Sequence, residues 1–141
     1  MRPGLVVLTI AAILSSACSK EHPQVVELPR YDYRNATSLE IEKIEMRDSA
    51  TVFCFKAFEL MSNIRISPDS YLFADGDKYD LISAEGITLG EWFKGDRKGK
   101  AEFRLIFEPL PSKLKEVSFL EGEAPGDFKF YNIDLTGVRP A

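Results

Sequence analysis

The sequence predicts an all-β domain over residues 36–136, an antiparallel immunoglobulin-like β-sandwich of about seven to nine short strands. Two observations carry this. Apolar and polar residues alternate in short runs, and turn signals recur every eight to twelve residues. In addition, no segment holds a helical period over ten residues.

The elements follow in chain order. Leu39 and Ile41 alternate, and Ile44 and Met46 then alternate in the opposite parity, which predicts a bulge near Glu42-Lys43. Residues 51–58, TVFCFKAF, are rich in β-branched and aromatic side chains and read as a strand. Ile64-Arg65-Ile66 reads as a short strand ending before Pro68-Asp69. Tyr71 to Ala74, then Asp75-Gly76, then Lys78 to Ile82 reads as a hairpin, because Asp-Gly tolerates the positive φ angles of a tight turn. Glu85-Gly86 marks another turn, before Ile87, Leu89 and Trp92-Phe93. Lys94 to Lys100 is a polar loop. Phe103, Leu105 and Phe107 alternate until Pro109 and Pro111. Val117 and Phe119 alternate next, Gly122 to Gly126 is a loop, and Phe128 to Leu135 is the last strand. All ten Phe, all five Tyr and Trp92 follow residue 30, enough aromatic surface to fill a core without disulfides. The Cys…Trp…Cys spacing of antibody domains is absent.

Composition narrows the function classes. The chain has 141 residues, one domain's worth, with 45% hydrophobic and 28% charged residues. The formal net charge is −4, which argues against nucleic acid as a partner. One histidine and two cysteines cannot supply a His/Cys zinc cluster, a CxxC pair or a disulfide framework. The single histidine, His22, precedes the predicted domain, so the fold has no imidazole base for Ser-His or Cys-His chemistry. No cofactor or metal is expected.

The first residues read as an address. Arg2 is followed by an apolar run from Leu5 to Leu14, and ten helical residues span about 15 Å, half of a hydrocarbon core. A basic start, a short apolar stretch and a small-residue exit is the layout of a signal peptide, here residues 1–17. The exit, Leu14-Ser15-Ser16-Ala17-Cys18, resembles the lipobox of bacterial lipoproteins, with Ser15 where leucine is usual. That resemblance implies lipidation of Cys18 and a membrane anchor; Ser19 is compatible with the outer membrane, and Lys20-Glu21-His22, without the acidic run of a surface-export tag, favours its periplasmic face. Residues 18–35 carry Pro23 and Pro29 without sustained periodicity and read as a flexible tether, and 137–141 as a tail.

Four stretches resemble an uncharacterised β-sandwich domain of Bacteroidota lipoproteins: residues 64–72 (IRISPDSYL), 74–79 (ADGDKY), 103–111 (FRLIFEPLP), and 119–122 with 128–136 (FLEG, FKFYNIDLT). In longer relatives such a domain looks like a module preceding a thioredoxin-like or hydrolase-like domain. The resemblance covers about residues 36–136 and implies a fold, with no catalytic residues to carry over. The chain stops five residues after Thr136, so the module is expected to act alone.

Candidate chemistry is sparse. Cys54 would be the only free thiol after lipidation, to be read as a small buried hydrophobe or as a redox thiol near Lys56. Asp75, Asp77 and Asp80 suggest a cation loop, but the remaining EF-hand ligands are missing. Glu121, Glu123 and Asp127 crowd one loop, either as an acid/base pair or as solvated loop residues. Lys94, Arg97, Lys98 and Lys100 form a small basic loop, either a solvated hairpin tip or a contact for an acidic partner. Asn35-Ala36-Thr37 fits a sequon that a bacterial envelope leaves unused. Asp48-Ser49-Ala50 resembles the O-glycosylation site of Bacteroidota, with Ser49 as candidate acceptor.

These readings predict an envelope lipoprotein with a non-catalytic binding or accessory domain for a protein or glycan partner. The alternatives are a structural role in envelope assembly and a hydrolase built on Glu121, Glu123 and Asp127.

Overall fold

A computed structural model describes residues 25–58 and 63–137. The predicted signal peptide 1–17, the lipidation site Cys18, His22 and residues 138–141 lie outside the described residues.

Among the described residues, nine strands form one antiparallel hydrogen-bonded sheet: β1 (Val25–Glu27), β2 (Tyr33–Arg34), β3 (Leu39–Met46), β4 (Thr51–Ala57), β5 (Tyr71–Ala74), β6 (Asp77–Glu85), β7 (Ala101–Phe107), β8 (Glu116–Leu120) and β9 (Lys129–Asp134). Their order across the sheet is β1-β3-β4-β7-β6-β5-β8-β9-β2. The all-β, antiparallel expectation holds, in the form of one continuous curled sheet rather than two separate ones.

The curl runs through β6. Asp77 to Asp80 pair with β5, whereas Leu81 to Glu85 pair with β7, with a register irregularity between Leu81 and Ser83. A bulge of this kind bends a strand and increases its twist. The bend brings β4 and β7 over β8 and β9. Phe55 and Phe119 ring centroids lie 5.4 Å apart, Phe107 and Phe119 6.0 Å, and Phe55 and Phe130 6.1 Å. These phenyls belong to the fully buried core, together with Phe53, Ile44, Leu72, Leu105 and Ile133 among others.

The parity switch in β3 has its predicted cause. Pairing with β4 steps from Ile41↔Phe55 to Lys43↔Cys54, leaving Glu42 as the extra residue. The Asp75-Gly76 hairpin is also as predicted, with φ of 50° and 83° at its two central residues.

Two expectations change. The predicted strand at residues 64–66 is a single bridge, Ile64↔Phe93. Ile66 is buried, but its carbonyl accepts Gly90 N–H from a loop, and the turn at Ser67–Ser70 ends the extended run. The tether read over 18–35 also gives way to structure at Val25. β1 pairs with β3 at one edge of the sheet, and β2 pairs with β9 at the other. Strands of three and two residues are too short to display a period.

Five residues, 28–32, join these two edges. Along them Leu28 N–H donates to Glu42 O, Asp32 N–H to Tyr131 O, and Arg30 O accepts Asp134 N–H. So short a strap holds the two sheet edges within about 20 Å of each other.

Candidate binding face

The outward side of β5, β8, β9 and β2 carries aromatic side chains where a half-buried strand ordinarily carries polar ones. In β5, Leu72 and Ala74 point into the core, so Tyr71 and Phe73 point out. In β9, Phe130 and Ile133 point in, and Tyr131 lies half-exposed. Phe73 is 42% exposed and Tyr33 on β2 is 49% exposed.

Register aligns these groups. Phe73 pairs with Lys78 of β6 on one side and with Ser118 of β8 on the other. The next register step runs from Phe119↔Phe130 to Val117↔Ile133, so Tyr131 and Asn132 together oppose Ser118. Asn132 occupies the left-handed region, φ 55°, and its N–H donates to Ser118 Oγ at 3.0 Å. Tyr131 pairs with Tyr33, whose ring stacks on it at 5.4 Å and 23°. The row Lys78, Phe73, Ser118, Tyr131, Tyr33 therefore crosses five strands, roughly 19 Å at the usual strand spacing. A parallel row runs Tyr71, Leu120, Lys129.

Between the rings lies an open groove of about 660 Å³, lined among others by Tyr71, Phe73, Ser118, Glu123, Tyr131 and Asn132. Its charged groups are engaged. Lys129 Nζ donates to Ala124 O at 2.7 Å and to Asp127 O at 3.2 Å. Lys78 Nζ sits 4.3 Å from the Tyr71 ring centroid, a cation–π contact. Tyr71 OH donates to Glu123 Oε2 at 3.4 Å. Burial, and then the Glu123 carboxylate, hold the Tyr71 phenol above its ordinary range, so it stays a donor.

The residues singled out from the sequence are placed as follows. Ser49 is exposed in the β3–β4 turn, which an Arg47 N–H to Ala50 O hydrogen bond closes. The carboxylates of the 121–127 loop do not converge on a common point as free groups. Glu121 is buried, and its two oxygens accept Ser67 N–H and Phe128 N–H, each at 3.0 Å. Asp127 Oδ2 accepts Ala124 N–H, and Glu123 faces Tyr71. Cys54 is a buried free thiol in β4, and burial above all pushes it up, toward the inert protonated form. In the basic loop, Lys94, Arg97, Lys98 and Lys100 are all exposed around Asp96, whose Oδ1 accepts Lys98 and Lys100 N–H. These bonds hold Asp96 below the usual carboxylate range. Among the described residues no three His, Cys, Asp or Glu stand together as a metal site.

The groove itself escaped the sequence reading, although its signal was present. Tyr71, Phe73 and Tyr131 are aromatic residues on the solvent parity of their strands. Set against models of known families, the curated proteins and the solved structures, the chain has no match.

Proposed function

We propose that the chain is an envelope lipoprotein, anchored through Cys18 at the periplasmic face of the outer membrane. Its domain is a non-catalytic binding or accessory module for a protein or glycan partner. The observation that carries the binding role is a row across five strands that sets Phe73, Tyr131 and Tyr33 on the outer face, bordering a groove. Exposed aromatic side chains cost solvation, and a rigid sheet holds them ready for a ligand without further ordering. The engagement of Glu121 by two backbone donors favours this reading over a carboxylate-based hydrolase. Ser49, at an exposed turn, fits the accessibility that an O-glycan acceptor needs.

The test is in-cell crosslinking of the tagged, full-length chain, followed by mass spectrometry of what co-purifies. A specific adduct that disappears in the F73A/Y131A double variant supports the module reading. An adduct indifferent to both rings overturns it, as does a clean monomer that also binds no glycan.

A further inference from the structure

We infer that the ligand of the β5–β8–β9–β2 face is a neutral oligosaccharide lying across the strands. This rests on the binding-module reading and names the ligand class of the same groove.

The groove combines two characters. Tyr71, Phe73 and Tyr131 give apolar ring surface, suited to the C–H faces of a sugar ring. Ser118 Oγ–H, the Asn132 side-chain oxygen and the Tyr131 phenol give hydrogen-bonding groups between and beside those rings, suited to hydroxyls. Phe73 and Tyr131 stand on either side of β8, about 10 Å apart by strand spacing, with only the small Ser118 between them. That leaves an opening flanked by rings and floored by a hydroxyl.

Charge selects among ligands. Lys129 is committed to two loop carbonyls, Lys78 to the Tyr71 ring and Glu123 to the Tyr71 hydroxyl. Each of the three charged groups is already held by a contact within the chain, so an ionic ligand would compete with these contacts instead of meeting an unpartnered charge. A peptide adding as a strand needs an unpaired edge. Here β5, β8 and β9 each have a neighbour on both sides, and the one edge strand of the face, β2, is only two residues long. A lipid chain needs an enclosed apolar slot, and this groove is open and polar at intervals. A hydroxyl-rich, uncharged ligand with flat apolar faces satisfies all of these conditions.

The experiment is isothermal titration of the full-length chain with cellohexaose, xylohexaose, maltohexaose, laminarihexaose and chitohexaose. Saturable binding of at least one is expected. Truncating a ring anchor, Tyr131→Ala, is expected to weaken it about tenfold or more. Tyr131→Phe keeps the ring but loses the phenol hydroxyl, and is expected to weaken binding less than Tyr131→Ala does. Trp92→Ala, at an exposed side chain that does not line the groove, is expected to leave binding unchanged. Thermal unfolding of each variant checks that the fold is intact. Absence of binding to every glycan overturns the assignment, as does binding that survives Tyr131→Ala and Phe73→Ala. A crosslinked protein partner lost on F73A/Y131A, together with no glycan binding, overturns the glycan alone and leaves the binding face standing.

Discussion

Glu121 and Ser67 stand 54 positions apart, yet the Glu121 carboxylate accepts the Ser67 backbone N–H at 3.0 Å. Its other oxygen takes Phe128 N–H, so one buried side chain ties the segment before β5 to the loop between β8 and β9. Glu121→Gln replaces an acceptor oxygen with an amide donor and leaves one N–H facing another. A loss of about 1–3 kcal/mol in unfolding free energy near neutral pH is expected, measured by urea denaturation.

The same residue gives a pH signature. Burial raises the Glu121 carboxyl above its ordinary value, against the pull of its two N–H donors. The folded chain therefore keeps this proton over a range where the unfolded chain has released it. The contribution is fully present below the unfolded value and is lost as pH rises through the raised folded one. Glu45, Asp96 and Asp134 are shifted down and act in the opposite sense, so the informative quantity is wild type minus Glu121→Gln. That difference is expected to fall with rising pH just above the ordinary glutamate range. A rise there contradicts the assignment.

Phe119 sits at the meeting point of the two halves of the curled sheet, with Phe53, Phe55, Phe107 and Phe130 around it. Phe119→Ala is expected to cost about 3–5 kcal/mol. Phe73→Ala on the outer face is expected to stay within about 0.5 kcal/mol, as exposed positions do. Paired thermal melts separate the core phenyl from the one on the outer face.

Gly86 has φ of 90°, and a Cβ there would meet Glu102 O at 2.9 Å and Phe103 Cα at 3.2 Å. Both obstacles are backbone of β7, which cannot swing aside. Gly86→Ala is expected to destabilise by about 1–3 kcal/mol, read from the denaturation midpoint.

Cys54 is expected to resist an aromatic disulfide reagent in the native protein and to react stoichiometrically in denaturant. Under the lipoprotein reading, the same denatured sample titrates one thiol per chain, because the sulfur of Cys18 is alkylated. Two thiols per chain would remove the anchor.

Much of the sheet was legible because long strands declare their period. β7 shows Phe103, Leu105 and Phe107 on one parity, and the Glu42 bulge is visible as a parity change. β1 and β2 were hidden because their pairing is set by tertiary contact. Val26 is buried against β3, yet Val25 and Glu27 on either side are exposed, and Pro29 follows closely. Residues 64–66 misled because apolar alternation reports burial, and Ile66 is buried without belonging to a ladder. The binding face was missed for a related reason. A strand pattern such as Tyr71-Leu72-Phe73-Ala74 is apolar on both parities, and only the fold shows which one meets water.

Tyr33 pairs with Tyr131, and the Asp32 carboxylate accepts from the Asn132 side chain one hundred positions later in the chain. At ordinary rates of synthesis, about 5–20 residues per second, the early half of that pair waits roughly 5–20 s for the late half. The aromatic row is thus complete only once β9 has been made. Under the proposed binding role, a chain stalled before β9 can assemble β3 and β4 and still lack Tyr131, so ligand capture would report synthesis through β9.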